Sequence, residues 1–94
     1  MQVWGRIMQG HKTLRQMTLD LPEDNLPLVT RVKLRIDDMV MEMDLPRPIW
    51  FHQNEKDIMD FGRTDFRQDH FIEHIPFTCF EVELIDEEDD ALGM

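Results

Sequence analysis

The chain lacks several features that common classes of protein site require. It contains no serine, which excludes a serine nucleophile. Its four glycines are isolated, so no glycine-rich loop is present to hold a phosphate. The single cysteine, Cys79, cannot form an internal disulfide, which is typical of a reducing cytoplasm. No apolar run approaches the ~18 residues of a membrane span, and no basic stretch followed by an apolar run marks a secretory signal. We therefore expect a cytoplasmic protein that does not enter a membrane.

Positive charge is missing from one end of the chain. All ten Lys and Arg side chains lie within residues 1–67, beside eleven Asp and Glu, so this part is nearly neutral. Residues 68–94 carry nine acidic side chains and most of the formal net charge of −10. Such a field repels phosphate backbones, which argues against a nucleic-acid binder. The acidic end is either a solvating tail, a mimic of nucleic acid, or a docking surface for a basic partner at Glu87, Glu88, Asp89 and Asp90.

One long helix is predicted at the centre of the chain, from Leu26 to Asp44. Pro46 lies beyond this segment and cannot continue a helix, and Asp24 or Asn25 is expected to cap its start. Strict alternation over residues 31–37 is also typical of a half-buried strand. The helix is favoured because apolar residues recur at spacings of three and four throughout the segment, at Val29, Val32, Ile36, Met39 and Met43.

The charges of this predicted helix oppose its dipole. Basic side chains fill its first half and acidic ones its second, at Arg31, Lys33, Arg35, Asp37, Asp38, Glu42 and Asp44. Ion pairs such as Lys33 with Asp37 are expected to compensate. Leu34 and Met41 lie opposite the main apolar stripe, so they either pack under a neighbouring segment or mark a dimer face.

Strands are predicted at both ends of the chain. Gln2 to Met8 and Thr13 to Leu19 are predicted to form a hairpin around a turn at Gly10. Phe77 to Ile85 alternates apolar with acidic residues, as a strand with one buried face does. Glu81 and Glu83 on its wet face are expected to meet Arg6 or Arg15. Gly5 inside a strand indicates close approach of another side chain, for which Trp50 is the candidate.

Between these strands, His52 to Phe61 is predicted to be a short second helix that ends at Gly62, and residues 63–70 an irregular segment or short strand. The fold class is therefore α+β: a three- to four-stranded, mainly antiparallel sheet with the long helix packed on one face. One domain spans residues 1–85, and residues 86–94 have the composition of a disordered acidic tail. Strand order stays open. The expected core comprises Val3, Ile7, Met17, Leu19, Val32, Ile36, Met39, Val40, Met43, Trp50, Ile58, Phe61, Phe66, Phe71, Phe80, Val82 and Leu84.

The best match to a catalytic motif is His70-Phe71-Ile72-Glu73-His74, which fits the H-x-x-E-H pattern of inverted zincins. That chemistry requires both histidines on one helical face, one turn apart, with the glutamate as general base. Pro76 follows closely and the segment is short, so a loop is favoured. We expect no catalytic residue, no cofactor and no metal, with His70, Glu73 and His74 as the candidate ligands if a metal binds.

Two other groups of residues carry weaker signals. The histidines and the cysteine lack the close pairwise spacing that is typical of metal ligands. They are His11, His52, His70, His74 and Cys79. Asp65, Asp69 and Glu73 are spaced at four, as on one face of a helix, and a solvated face is favoured over an acid/base or divalent-ion site.

Three stretches together resemble a family of small acidic bacterial proteins without assigned function. They are Trp4-Gly5-Arg6-Ile7, then Asp44-Leu45 with Pro48-Ile49-Trp50, and Phe71-Ile72-Glu73 followed by the acidic end. The resemblance covers nearly the whole chain, and its motifs are mostly core residues and prolines. It implies a helical central segment and brings no catalytic residues.

We accordingly expect a non-enzymatic binding or regulatory module that engages a protein partner. One alternative is a small metal-dependent hydrolase using His70, Glu73 and His74. Another is a homo-oligomeric structural subunit, such as a homodimer, held together by Leu34, Met41, Trp4 and Met8.

Overall fold

A hairpin opens the chain in the computed structural model, which describes residues 1–86. Strand β1 (Gln2–Gln9) pairs with β2 (Lys12–Asp20). Gly10 takes a φ of 60° at the turn, where a residue with a Cβ would be strained. Leu14 is an extra residue on β2, because the register passes from Ile7 opposite Arg15 to Met8 opposite Thr13.

The central segment forms helix α1 (Leu28–Glu42), which is two residues shorter at each end than predicted. The helix is thus confirmed, and the alternative strand over residues 31–37 is wrong. Its apolar stripe is buried as predicted, at Val32, Ile36, Met39, Val40 and Met43. Pro27 precedes the first turn without a side-chain cap, and Asp24 Oδ1 instead accepts a bond from the Leu26 N–H at 3.2 Å. The helix ends ahead of Pro46, where Asp44 takes a φ of 56°.

The second helix, α2 (His52–Phe61), has the predicted bounds, and Gly62 ends it with a φ of 69°. Strand β3 (Arg63–Phe66) follows at once, and then a 3-10 turn (Gln68–His70). The last strand, β4, spans Cys79–Ile85 and starts two residues later than predicted. At its start the Thr78 N–H donates to the Met8 carbonyl at 2.8 Å, which ties the preceding loop to β1.

The four strands lie in the order β2-β1-β4-β3, and every neighbouring pair is antiparallel. Both helices contact one face of this sheet, where Val3, Ile7 and Phe80 are buried. Side chains alternate between faces along a strand, so Trp4 and Arg6 lie on the opposite, open face. The α+β prediction is therefore confirmed. Within residues 1–86, no helix has both the length and the apolar character needed to cross a membrane.

Two core predictions are wrong. Phe61 is predicted to be buried but is 73% exposed, at the last residue of α2. Gly5 is approached by Met39 and Phe80 and not by Trp50. Trp50 packs edge-on against Phe66, with ring centroids 5.0 Å apart. The core also contains Leu21, Ile75 and Cys79, which were not predicted.

Ion pairs connect the elements in a pattern that is only partly as expected. Arg6 Nη2 lies 3.3 Å from Glu81 and 3.4 Å from Glu83, as predicted for the open face. Lys33 does not pair with Asp37. Its ammonium lies 2.7 Å from Glu55, so the pair joins α1 to α2.

Candidate functional site

An open sheet has two edges, and here the edge strands are β3 and β2. Directly before β3, the Gly62 carbonyl accepts a hydrogen bond from the Leu84 N–H of β4. In an antiparallel pair every second residue forms hydrogen bonds to the neighbouring strand, so the next residues bonded to β4 are Thr64 and Phe66. The backbone groups of Arg63, Asp65 and Arg67 therefore point away from the sheet.

Side-chain and backbone groups elsewhere in the chain form hydrogen bonds to several of these outward N–H and C=O groups. Asn54 Nδ2 donates to the Asp65 carbonyl at 3.1 Å, and the Arg67 N–H donates to His70 Nδ1 at 3.0 Å. The Arg67 carbonyl accepts from the His70 N–H at 2.9 Å. Asn54 is only 3% exposed and also accepts from the Phe51 N–H at 2.8 Å, at the start of α2. Residues of α2 and of the 3-10 turn thus bind the Asp65 carbonyl and both backbone groups of Arg67, which directly follows β3.

This arrangement assigns a structural role to His70. Its Nδ1 accepts the hydrogen bond from the Arg67 N–H. Asp69 Oδ1 lies 3.1 Å from the same Nδ1. The ring stacks on Phe51 with centroids 4.3 Å apart. His70 therefore fastens the turn after β3.

The other edge strand is β2. The Leu21 N–H donates to the Met1 carbonyl. Because hydrogen-bonded pairs recur at every second residue of an antiparallel ladder, the next hydrogen-bonded pairs between β1 and β2 are Val3–Leu19 and Gly5–Met17. By alternation, the backbone groups of Gln16, Thr18 and Asp20 point outward. The Asp20 carbonyl accepts from Arg35 Nε at 2.7 Å. In the described part of the chain, no hydrogen bond reaches the outward N–H and C=O groups of Gln16 and Thr18.

A shallow groove of about 510 Å³ runs between this open edge and α1. We call it the β2 groove, and its residues are Met17, Thr18, Leu19, Arg35, Asp38, Met41 and Glu42. Met17 and Leu19 are half-buried and form an apolar floor. An unpaired strand edge beside an apolar floor is what an extended peptide requires in order to bind as an added strand.

A second cleft, of about 460 Å³, lies between α2 and β3. Its buried polar groups bind one another. Asn54 Nδ2 donates to Thr64 Oγ1 at 2.9 Å, and Thr64 Oγ1 donates to Asp57 Oδ2 at 3.0 Å. These bonds hold α2 on β3, so the side chains of Asn54, Thr64 and Asp57 serve to maintain the fold.

The H-x-x-E-H segment does not form the helix that zinc chemistry would need. His70 ends the 3-10 turn, and Phe71 is extended, with φ of −125° and ψ of 138°. Glu73 and His74 follow in an exposed loop. No group of three His, Cys, Asp or Glu side chains within residues 1–86 is arranged to hold a metal ion.

The spaced acids and the cysteine also form no site. Asp65, Asp69 and Glu73 are exposed and lie on three different segments, so they share no helix face. Burial raises the pKa of the Cys79 thiol, and the charges of Asp65 and Glu81 raise it further. A thiol of this kind stays protonated and unreactive near neutral pH.

The residues offered for a homo-oligomer do not form one surface. Leu34 and Met41 are exposed on the outward side of α1. Trp4 and Met8 lie on the open sheet face, at the other side of the molecule, and Trp4 Nε1 donates to Gln16 Oε1 at 3.0 Å. Glu87, Glu88, Asp89 and Asp90 lie outside the described residues, so their role as a docking surface stays a prediction.

Sequence reasoning missed Gln16 and Thr18. Their outward position depends on β2 being an edge strand, and the sequence left strand order open. Comparison of the chain with protein-family models, with curated proteins and with solved structures finds no match.

Proposed function

We propose that this chain is a non-enzymatic protein-binding module that receives an extended segment of a partner along the edge of β2. One observation carries the proposal: the outward backbone groups of Gln16 and Thr18 are unpaired beside an apolar floor formed by Met17 and Leu19. Exposed strand edges are usually blunted in natural proteins, so an edge left open at its middle is a candidate for pairing.

An added strand gains two kinds of contact in this groove. Gln16 and Thr18 each offer one N–H and one C=O, so four backbone hydrogen bonds form, each worth about 1 kcal/mol net. These bonds fix the register of the bound segment. Burial of Met17 and Leu19 under its side chains supplies the apolar contribution to affinity.

The rim of the groove constrains the charge of the segment. Arg35 lies at one end, and Asp38 and Glu42 follow along α1. Arg35 Nη1 lies 3.0 Å from Asp38, which leaves Glu42 as the unpaired acid of the rim within the described residues. A segment with a basic side chain near Glu42 and an apolar residue over Met17 fits this surface.

We also propose that the protein is cytoplasmic. The support for this location is the single cysteine, which is buried in β4 and, like other lone buried thiols, is suited to a reducing compartment. The resemblance to small acidic bacterial proteins is compatible with a binding role and specifies no partner.

Two substitutions at one position test the site. Thr18→Pro removes an outward N–H without breaking a bond to β1, because proline lacks that donor and is tolerated on edge strands. Thr18→Val removes the hydroxyl and keeps the N–H. The tagged wild type and both variants are used for capture from the protein's own cells at low salt, followed by mass spectrometry. We expect Thr18→Val to retain the partner and Thr18→Pro to lose it. Equal capture by both variants would contradict a site on the β2 edge.

A further inference from the structure

The β2 groove is complementary to itself. On β2, Met17 and Leu19 lie on the face that the helix covers, and Thr18 lies on the opposite face. On α1, the rim of the groove carries the basic Arg35 followed by the acidic Asp38 and Glu42. We propose that the segment that binds there is β2 of a second copy of this chain. The two four-stranded sheets then join edge to edge across a two-fold axis. This inference rests on the proposed function, because both require β2 to receive a strand.

The register follows from the backbone groups of β2 that point outward, at Gln16, Thr18 and Asp20. An antiparallel pairing with Thr18 opposite Thr18 sets Gln16 of one copy opposite Asp20 of the other, so outward groups meet outward groups. On the helix side, Met17 then faces Leu19 of the second copy, and two half-buried apolar side chains cover each other.

Other registers fit less well. Pairing nearer the hairpin sets Arg15 opposite an apolar residue and brings the Leu14 bulge into the ladder. Pairing nearer the other end brings the Asp20 carboxylates of the two copies towards each other, and like charges opposite one another are unfavourable. The centre at Thr18 avoids both.

The helix layer is compatible with this pairing. Helix α1 contacts β1 and β2, and strands are spaced about 4.8 Å apart. The two copies of α1 therefore lie about 10 Å from each other, which is within the usual range for packed helices. Arg31, Arg35, Asp38 and Glu42 are spaced 4, 3 and 4 along α1, so they form one stripe, and three of them line the groove.

In an antiparallel pair of α1 helices centred over Thr18, the two Asp38 side chains lie near the axis, each paired with Arg35 of its own copy. Arg35 of one copy faces Glu42 of the other, and the pair occurs twice by symmetry. Glu42 has no ion-pair partner in residues 1–86, so its carboxylate is available. Basic side chains early in α1 and acidic ones late in it oppose the dipole of a single helix. Between two copies the same arrangement allows attraction between Arg35 and Glu42.

Sedimentation equilibrium of the purified full chain, from about 1 µM to about 1 mM, tests the inference. We expect the mass to rise from 11.3 kDa towards twice that value. Glu42→Lys places two cations face to face and is expected to weaken dimerisation about tenfold. Asp60→Lys makes the same charge change on α2, away from the groove, and is expected to leave dimerisation unchanged.

Thr18→Pro and Thr18→Val test whether the backbone N–H of Thr18 contributes to dimerisation. Circular dichroism checks that both variants are folded. We expect Thr18→Pro to be monomeric and Thr18→Val to dimerise as the wild type does. A wild type that is monomeric throughout, or a dimer that neither Glu42→Lys nor Thr18→Pro weakens, overturns the inference. A monomer whose capture of another protein is lost in Thr18→Pro contradicts this inference alone. A monomer whose capture is unaffected by Thr18→Pro contradicts the proposed function as well.

Discussion

Asn54→Ala tests how α2 is held on β3. The Asn54 side chain makes three hydrogen bonds, to the Phe51 N–H at 2.8 Å, to Thr64 Oγ1 at 2.9 Å and to the Asp65 carbonyl at 3.1 Å. At about 1 kcal/mol per bond, their loss costs about 3 kcal/mol. Alanine has the higher helix propensity and returns about 0.5 kcal/mol. We therefore expect the free energy of unfolding to fall by about 2–3 kcal/mol.

Urea unfolding followed by tryptophan fluorescence measures this change, because Trp50 packs against the core at Phe66. Gln53→Ala is the matched control on the same turn of α2. Gln53 is exposed and makes one side-chain bond, to Asp57 at 2.8 Å, so we expect a change within about 0.5 kcal/mol. A loss below about 1 kcal/mol for Asn54→Ala would show that these bonds do not hold α2 on β3.

Three further predictions concern the core and one ion pair. Gly5→Ala places a methyl group against Met39 and Phe80, and calorimetry should show a loss of about 1–3 kcal/mol; an unchanged melting temperature would contradict the packing. Phe61→Ala, at an exposed site, should cost under about 1 kcal/mol in urea unfolding, against about 3–5 kcal/mol for the same change at the buried Phe66. The hydrogen bond and charge of Lys33 hold the pKa of Glu55 below its ordinary value, so the pair stabilises the fold above that ordinary pKa and ceases to do so as the pH falls through the lowered one. Lys33→Met should raise the Glu55 midpoint in an NMR titration, and an unmoved midpoint would refute the pairing.

Much of the fold was predictable because its signals are local. The spacing from Val29 to Met43 specified α1, and Gly62 marked the end of α2. Alternation in residues 79–85 specified β4 and the wet face on which Glu81 meets Arg6. Each of these features depends on residues a few positions apart in one element.

The remaining features depend on tertiary contacts that no local pattern encodes. Phe61 has the residue type of a core position but lies at the end of a helix, where the sheet does not cover it. Asn54 looks like an ordinary polar helix residue until β3 is placed beside it. The open groups of Gln16 and Thr18 follow from the strand order, which brings β4 beside β1 and leaves β2 at the edge.

Residue-resolved amide hydrogen exchange tests the central claim most directly, in dilute and concentrated protein and with any captured partner. Met17 and Leu19 donate to β1, so their amides are expected to exchange slowly in every state. The amides of Gln16 and Thr18 point outward, so they are expected to exchange fast when the β2 groove is empty and to slow when it is occupied. Slowing confined to another surface, with Gln16 and Thr18 unchanged, would contradict the account.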